Sequence, residues 1–296
     1  MFKKNIFIKN RDDMDKDLLR KKIYSKIDEL PTLPDTAARL LSLFEDKNSN
    51  ASIITKVIHN DPALAAKILK VANSAYYGFS QKISDLERAV ALLGFNMVKS
   101  LAISIGVMKS LPSQNKSSRS GKELWRHSVT VAILMREMGK RIFNEKDSES
   151  FFILGLMHDV GIVVIDQFFN EQSEEILKEA EQAGETEVSL IEKKVLGYDH
   201  GEIGGILLTR WKFPELITNA VSMHHQDIAE ESGTSKDVTL LKISDALSNF
   251  ENNIEENQDI SLLFKNLGVD EKYFQEILNY KDEAKEEISS FYNSIT

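Results

Sequence analysis

Eight side chains from residue 123 onward have the types and spacing of metal ligands: Glu123, His127, His158, Asp159, His200, His224, His225 and Asp245. Imidazole nitrogens mixed with carboxylate oxygens suit zinc, iron, manganese, nickel or cobalt. Glu123 and His127 stand four residues apart, so on a helix they share a face and reach one centre. His158-Asp159 closes a strongly apolar run, FFILGLMHDVGI, where an ionisable pair is costly to bury unless a cation or partner compensates. An Asp beside a His can also bridge two ions through its two oxygens. His224 and His225 are adjacent and at an expected helix end. On a straight helix they point about 100° apart and so serve two ions or two shells. Asp245 places a carboxylate on an otherwise apolar helix face, LKISDALSN.

Each feature has an ordinary reading when taken alone. A Glu–His pair at this spacing is more often a surface pair, a histidine on an apolar helix is more often a satisfied core residue, and Asp245 by itself is a surface acid. Their order on successive helices is what points to a metal centre. Two divalent transition ions, of iron, manganese, zinc or nickel, are the expected cofactor. Such a pair acidifies a bridging water and neutralises a phosphoryl oxygen, the chemistry of phosphate-ester or nucleotide hydrolysis. The sixth histidine, His59, lies apart and reads as a packed or surface residue. The chain has no cysteine, which excludes disulfides, zinc ribbons and thiol nucleophiles.

The elements that must position these groups are all helical. Alternating strand patterns are nearly absent, and 3.6-residue periodicity runs through most of the 296 residues. Helices are expected over 17–30, 52–59, from Pro62, 85–93, 96–111, 122–143, 148–159 with a buried extension to 165, 171–183, 186–196, 200–211, 215–225, 238–250 and 271–291. Leu30-Pro31-Thr32-Leu33-Pro34 stops the first, and the next starts behind Asp35. Asp61 is a cap with Pro62 at the first helical position, and Gly94, Gly184 and Gly197 stand where helices must end. PSQNKSSRSG at 112–121 reads as a linker. The organisation is thus an extension, 1–21, flexible or helical; an N-terminal helical lobe, 22–112; a metal-binding helical lobe, 122–250; and a helical tail, 251–296.

Charge divides along the same line. Residues 1–121 carry 20 Lys and Arg against 12 Asp and Glu, a net of +8, and the remainder carries 17 against 34, a net of −17. The two regions therefore meet different partners or attract each other. The apolar stretches at 101–108 and 162–165 fall short of the ~20 residues of a membrane span. The N-terminus, MFKKNIFIKNRDDMD, has too short an apolar core and too many acids for a secretory signal. A cytoplasmic, soluble protein is expected, with no membrane partner. No nucleic-acid motif accompanies the basic half, so nucleic acid is not an expected partner.

The sequence resembles the HDOD family, the HD-related output domains of bacteria. The likeness rests on the Leu-Pro-x-Leu-Pro opening at Leu30–Pro34, NDPALAAKILKVANSAYYG at Asn60–Gly78 and AVALLGFNMVKSLAISIGV at Ala89–Val107. LWRHSVTVA at Leu124–Ala132, GLMHDVGI at Gly155–Ile162 and RWKFPELITNAVSMHHQ at Arg210–Gln226 extend it. It covers roughly residues 22–226, with Asp245 in the helix beyond.

HDOD domains are similar to the HD superfamily of metal-dependent phosphohydrolases, above all the HD-GYP cyclic di-GMP phosphodiesterases. The resemblance implies an all-α, multi-helix HD-like bundle with an N-terminal helical lobe. It implies that Glu123 and His127 are the early ligands, that His158 and Asp159 are the eponymous pair with Asp159 bridging, and that His200, His224, His225 and Asp245 complete the set. Two departures stand out. HD-GYP enzymes carry a phosphate-binding Lys shortly after His-Asp, where this chain has Val160-Gly161-Ile162. Their Gly-Tyr-Pro motif is replaced by Asp227-Ile228-Ala229. The resemblance therefore implies a signal-transduction output module with a protein partner and an HD-like metal site, rather than a cyclic di-GMP hydrolase. A phosphohydrolase acting on another nucleotide or phosphate ester is the alternative, with no catalytic residue assigned. Lys140, Arg141 and Arg210 are the nearby basic residues, and Tyr76, Tyr77 and Phe79 are either core or an exposed anchor for the partner. A homodimer is compatible with the sequence.

Overall fold

In the computed structural model, residues 11–44, 46, 48–111, 121–143, 149–183, 188–226, 235–249, 263–264, 267–269 and 271–295 are described. They form helices and connecting turns, with no strand among them. The first is α1 (Arg11–Glu29), which begins six residues before the expected start and runs through the 21/22 boundary as one helix. Then come α2 (Asp35–Ser42), α3 (Ala51–His59), α4 (Pro62–Ala72), a 3-10 turn (Ala75–Tyr77), α5 (Leu86–Leu93) and α6 (Phe95–Ser110). The later group is α7 (Gly121–Ile142), α8 (Glu149–Met157), α9 (Val160–Phe168), α10 (Asn170–Ala183), α11 (Val188–Leu196), α12 (His200–Arg210), α13 (Glu215–Met223) and α14 (Lys236–Asn249). Two helices close the chain, α15 (Glu271–Glu283) and α16 (Lys285–Ile295). The linker expected at 112–121 and the helix stop at Gly184 lie outside the described residues, apart from Gly121, which opens α7.

Local signals set most boundaries. Asp61 Oδ1 accepts the Leu64 N–H at 2.9 Å, with Pro62 at the first helical position, a cap worth about 1 kcal/mol. Asp85 caps α5 in the same way, and Gly94 ends it at φ +87°. Asp35 is not a cap: Pro34 holds that position, and Asp35 is the first helical residue. The expected single helix over 271–291 is two helices meeting at Ala284, whose apolar side chain is buried at the joint.

Helices α2 to α6 pack among themselves, and α7 to α14 do likewise. The groups meet where α6 lies on α8. The chain ends tie the whole together. α1 packs on α11 and α12, with Arg20 donating to the Gly197 carbonyl, Arg210 paired with Asp28, and Trp211 Nε1 donating to the Pro31 carbonyl at 3.2 Å. α16 returns across α4, the 3-10 turn and α7. One hydrophobic cluster therefore runs from Ile23 to Ile295. Tyr76 and Tyr77 are half-buried against Phe291 of α16, and Phe79 stacks outside Tyr77 and is exposed.

The stretch Glu149–Phe168 has the length and composition of a membrane span, longer than the apolar runs read from the sequence. It is 89% buried inside the protein and is broken in the middle. α8 stops at Met157 and α9 starts at Val160, so the expected continuous helix is interrupted at His158-Asp159. This break sets the geometry of the centre.

Candidate metal centre

Asp159 stands at the N-cap position of α9 (φ −95°, ψ 10°), yet its side chain makes no cap bond. Both carboxylate oxygens are left for the surrounding imidazoles. Oδ2 lies 3.4 Å from His127 Nε2. Oδ1 lies 3.2 Å from His158 Nε2, 3.2 Å from His200 Nε2 and 4.0 Å from His224 Nε2. The residue is thus shared between two ligand groups: His127, His158 and Asp159 on one side, and His200, His224 and His225 on the other. Asp245, from α14, joins the first group with Oδ1 3.0 Å from His127 Nε2 and 3.8 Å from His158 Nε2.

The outward nitrogen of each ring fixes its tautomer. His158 Nδ1 lies 2.7 Å from the Gly155 carbonyl and His224 Nδ1 lies 2.6 Å from that of Val221. A carbonyl only accepts, so Nδ1 carries a hydrogen and Nε2 is the nitrogen turned inward. Ser248 Oγ donates to the Asp245 carbonyl at 2.7 Å, so it accepts from His127 Nδ1 at 3.0 Å. His200 Nδ1 donates to Glu192 Oε2 at 2.7 Å, and the His200 backbone N–H donates to the same oxygen at 2.8 Å. Four Nε2 atoms and two carboxylates therefore converge. His127 and His158 Nε2 stand 3.2 Å apart, and His200 and His225 Nε2 stand 2.8 Å apart. His224 Nε2 is buried and takes no hydrogen bond among the described residues. Imidazole nitrogens and carboxylate oxygens gathered this closely make a donor set of the kind that suits a divalent transition metal.

Electrostatics agrees. Burial resists ionisation of Asp159, but His158 and His200 outweigh it and hold the carboxyl well below its usual range. Burial, His225, His200 and His158 all push the His224 pKa down, which keeps that ring neutral and able to coordinate. His200 is opposed by burial, but Glu192 and Asp159 raise it well above the ordinary histidine value.

Local sequence places these groups. A capping box opens α12: Asp199 Oδ1 accepts the Glu202 N–H at 2.7 Å, and Glu202 accepts the Asp199 N–H at 3.0 Å. His200 is thereby fixed as the first helical residue. Close packing sets the depth. A Cβ on Gly161 would sit 1.9 Å from the His200 carbonyl oxygen, and one on Gly201 would sit 2.8 Å from the His224 ring. α13 ends at Met223, and Gln226 N–H closes back on the Met223 carbonyl at 3.0 Å. That tight turn replaces the straight helix expected at His224-His225, and both rings enter the same group, their centres 4.0 Å apart.

Seven of the eight sequence candidates meet at this point. Glu123 does not: it is exposed on the first turn of α7, with no bond or ion pair to the cluster among the described residues. His127 turns instead toward Asp159 and Asp245. Glu192 and Ser248, which orient His200 and His127, were not among the candidates. Neither carries a sequence signal of its own, because the partner histidines lie 8 and 121 residues away. Arg141 pairs with Glu137 and Arg210 with Asp28, and Lys140 is exposed, so none of the three is tied to the imidazoles. His59 pairs with Glu87 at the surface, 3.0 Å away.

A helical bundle that gathers a His-Asp pair, four more histidines and a distal Asp around one carboxylate is an HD-type domain. The chain belongs to the HDOD domain family, whose model matches residues 30–227. An uncharacterised protein of Treponema pallidum is 27% identical over 205 residues, 69% of this chain and 39% of that protein. The match to the uncharacterised protein YuxH of Bacillus subtilis is 29% over 144 residues, 47% of this chain and 32% of the relative. The chain thus spans well under half the length of these relatives. Among solved structures, an HDOD domain protein of unknown function from Geobacter sulfurreducens superposes with a TM-score of 0.79 at 22% identity, covering 96% of this chain and 99% of that one. A proposed phosphohydrolase from Shewanella amazonensis gives 0.76 at 23%, covering 93% and 98%. At these identities the likeness establishes the fold.

Proposed function

We propose that this protein is a signal-transduction output module that holds two divalent transition ions in its HD centre and acts through a protein partner. The observation that carries the metal reading is the convergence of imidazole nitrogens on the two oxygens of Asp159. His127, His158 and Asp245 would hold one ion, and His200, His224 and His225 the other, with Asp159 common to both. Regulation is favoured over cyclic di-GMP hydrolysis by Ile162. It occupies the place where the HD-GYP resemblance calls for a cationic side chain, and it is 5% exposed among apolar neighbours. The Gly-Tyr-Pro position, Asp227-Ile228-Ala229, lies outside the described residues.

The complete ligand set favours a second reading, hydrolysis of a different phosphate ester. When bound, divalent ions supply Lewis acidity that brings a water to near-neutral pKa. The chain's own contribution is to fix the outward nitrogen of each ring, to hold His224 neutral and to keep Asp159 ionised. Elemental analysis of the purified protein, followed by turnover of bis(para-nitrophenyl) phosphate, cyclic dinucleotides and nucleoside phosphates with Mn²⁺ or Fe²⁺, separates the two. Metal without turnover, with a partner captured only by the intact chain, supports the module. Turnover lost in the His158→Ala, Asp159→Ala double variant establishes the enzyme. A protein that takes up no transition metal refutes both.

A further inference from the structure

Glu192 is not one of the converging ligands, yet it is a carboxylate only 2% exposed, on the inner face of α11. Its Oε2 accepts two hydrogen bonds from one histidine: the His200 backbone N–H at 2.8 Å and the ring Nδ1–H at 2.7 Å. The first pins the start of α12 and the second pins the ring. The next residue of α11 repeats the grip one position earlier, where Lys193 Nζ pairs with Asp199 Oδ2 at 2.9 Å. The chain turns between them at Gly197, whose φ is +80°, beside the fully buried Leu196. The end of α11 is thus a bracket that holds the entry to α12.

The other rings are backed differently. His158 and His224 give their Nδ1 hydrogens to backbone carbonyls, and His127 gives its own to the Ser248 hydroxyl. Among the rings whose outward partner is described here, His200 alone is backed by a carboxylate. A carboxylate polarises the imidazole, so the inward Nε2 becomes a stronger donor to a cation. The setting magnifies the effect. Glu192 borders a small void walled by Ile162, Ile165 and Ile176, where charge is little screened. Asp166 borders it too, with its carboxylate bound by the Ser173 hydroxyl at 2.7 Å.

We propose that Glu192 is a positioning residue of the metal centre: its carboxylate fixes the His200 ring, strengthens its inward nitrogen, and so sets the affinity of the ion held by His200, His224 and His225. This rests on the two-ion reading given above. The described contacts of Glu192 reach neither His127, His158 nor Asp245, so the ion on their side is indifferent to it.

Both bonds end on one oxygen. Glu192→Gln therefore keeps them on its amide oxygen and removes only the charge, while Glu192→Leu removes both bonds and charge. Zinc titration against a chromophoric chelator reads the effect, at about pH 8 to limit competition from protons. In the Asp245→Asn chain, which leaves the His200 side to fill, Glu192→Gln weakens zinc about tenfold or more, and Glu192→Leu at least as much. In the His225→Ala chain, which leaves the other side to fill, Glu192→Gln changes the affinity by less than about twofold. A merely structural role weakens both sides alike; that result, or an unchanged His200 side, overturns the proposal. If the Gln variant fails to fold, nitrogen NMR of the zinc-loaded wild-type chain decides: the His200 hydrogen sits on Nδ1, and a hydrogen on Nε2 overturns the proposal. A wild-type chain that binds no transition metal refutes the two-ion reading and this inference with it. Zinc held equally well by the wild-type and Glu192→Gln chains refutes this inference alone.

Discussion

The Nε2 atoms of His200 and His225 face each other at 2.8 Å while the other nitrogen of His200 gives its hydrogen to Glu192. With His200 Nδ1 committed to Glu192, so close an approach of the two inward nitrogens needs a shared proton or a cation between the rings. Across Asp159 the His127 and His158 nitrogens repeat the arrangement at 3.2 Å. A proton satisfies one such contact, and a divalent ion satisfies a whole group.

Metal content and stability should follow from this. After reconstitution the protein should hold about two transition ions per chain, and chelation should destabilise it. At a free ion concentration a thousandfold above Kd the linked stabilisation is about 4 kcal/mol. Thermal melts with and without chelator measure it. Superimposable melts, with less than about half an ion bound, contradict the reading.

The two ions should be separable by mutation. Among the described residues Asp245 meets His127 and His158, and His225 meets His200 and His224, so Asp245→Asn and His225→Ala perturb different groups. Each should lower the stoichiometry to about one ion, while Asp159→Asn weakens both. Equal losses in all three variants would argue for a single shared ion.

Glu123→Ala should leave metal content unchanged and alter stability by no more than about 0.5 kcal/mol, because the side chain is exposed and makes no described contact with the centre. Loss of an ion in this variant would mean that the start of α7 rearranges on binding.

Glycine at 201 is a packing requirement of the site. In Gly201→Ala the new methyl meets His224 Cε1 and Nδ1 at 2.8 Å, displacing the ring. Overpacking of this kind costs about 1–3 kcal/mol. The expected result is a less stable protein that loses the His200-side ion first, read by denaturant melts alongside elemental analysis. Full occupancy of that ion would show that the turn at Met223–Gln226 can yield.

The metal-free protein should lose stability as pH rises above neutrality. His200 is raised well above its unfolded value of about 6.5, so it binds a proton more tightly when folded. Its contribution is complete below about 6.5 and disappears as pH climbs through the raised value. His224 is lowered, so it works against the folded state as pH falls below about 6.5. Metal uptake must expel the His200 proton, and calorimetry in buffers of different ionisation enthalpy should detect its release. Uptake without proton release would show that His200 is already neutral.

Sequence alone determined what is local in this protein. The helices follow from periodicity, and several ends from residues that act within a turn of themselves: Asp61 with Pro62, Asp85, and Asp199 with its neighbour Glu202. The residue types of the cluster were also legible, and seven of the eight candidates converge. Tertiary structure decided what depends on direction. Only the break between α8 and α9 aims His158 and Asp159 at one point, and only the tight turn after α13 sends His224 and His225 to the same side. Glu192 and Ser248 gained their roles, and Glu123 lost its expected one, through packing across α7, α11, α12 and α14. Helical spacing says which residues share a face. What lies opposite that face is set by the fold, because burial against a distant element is a property of the whole core.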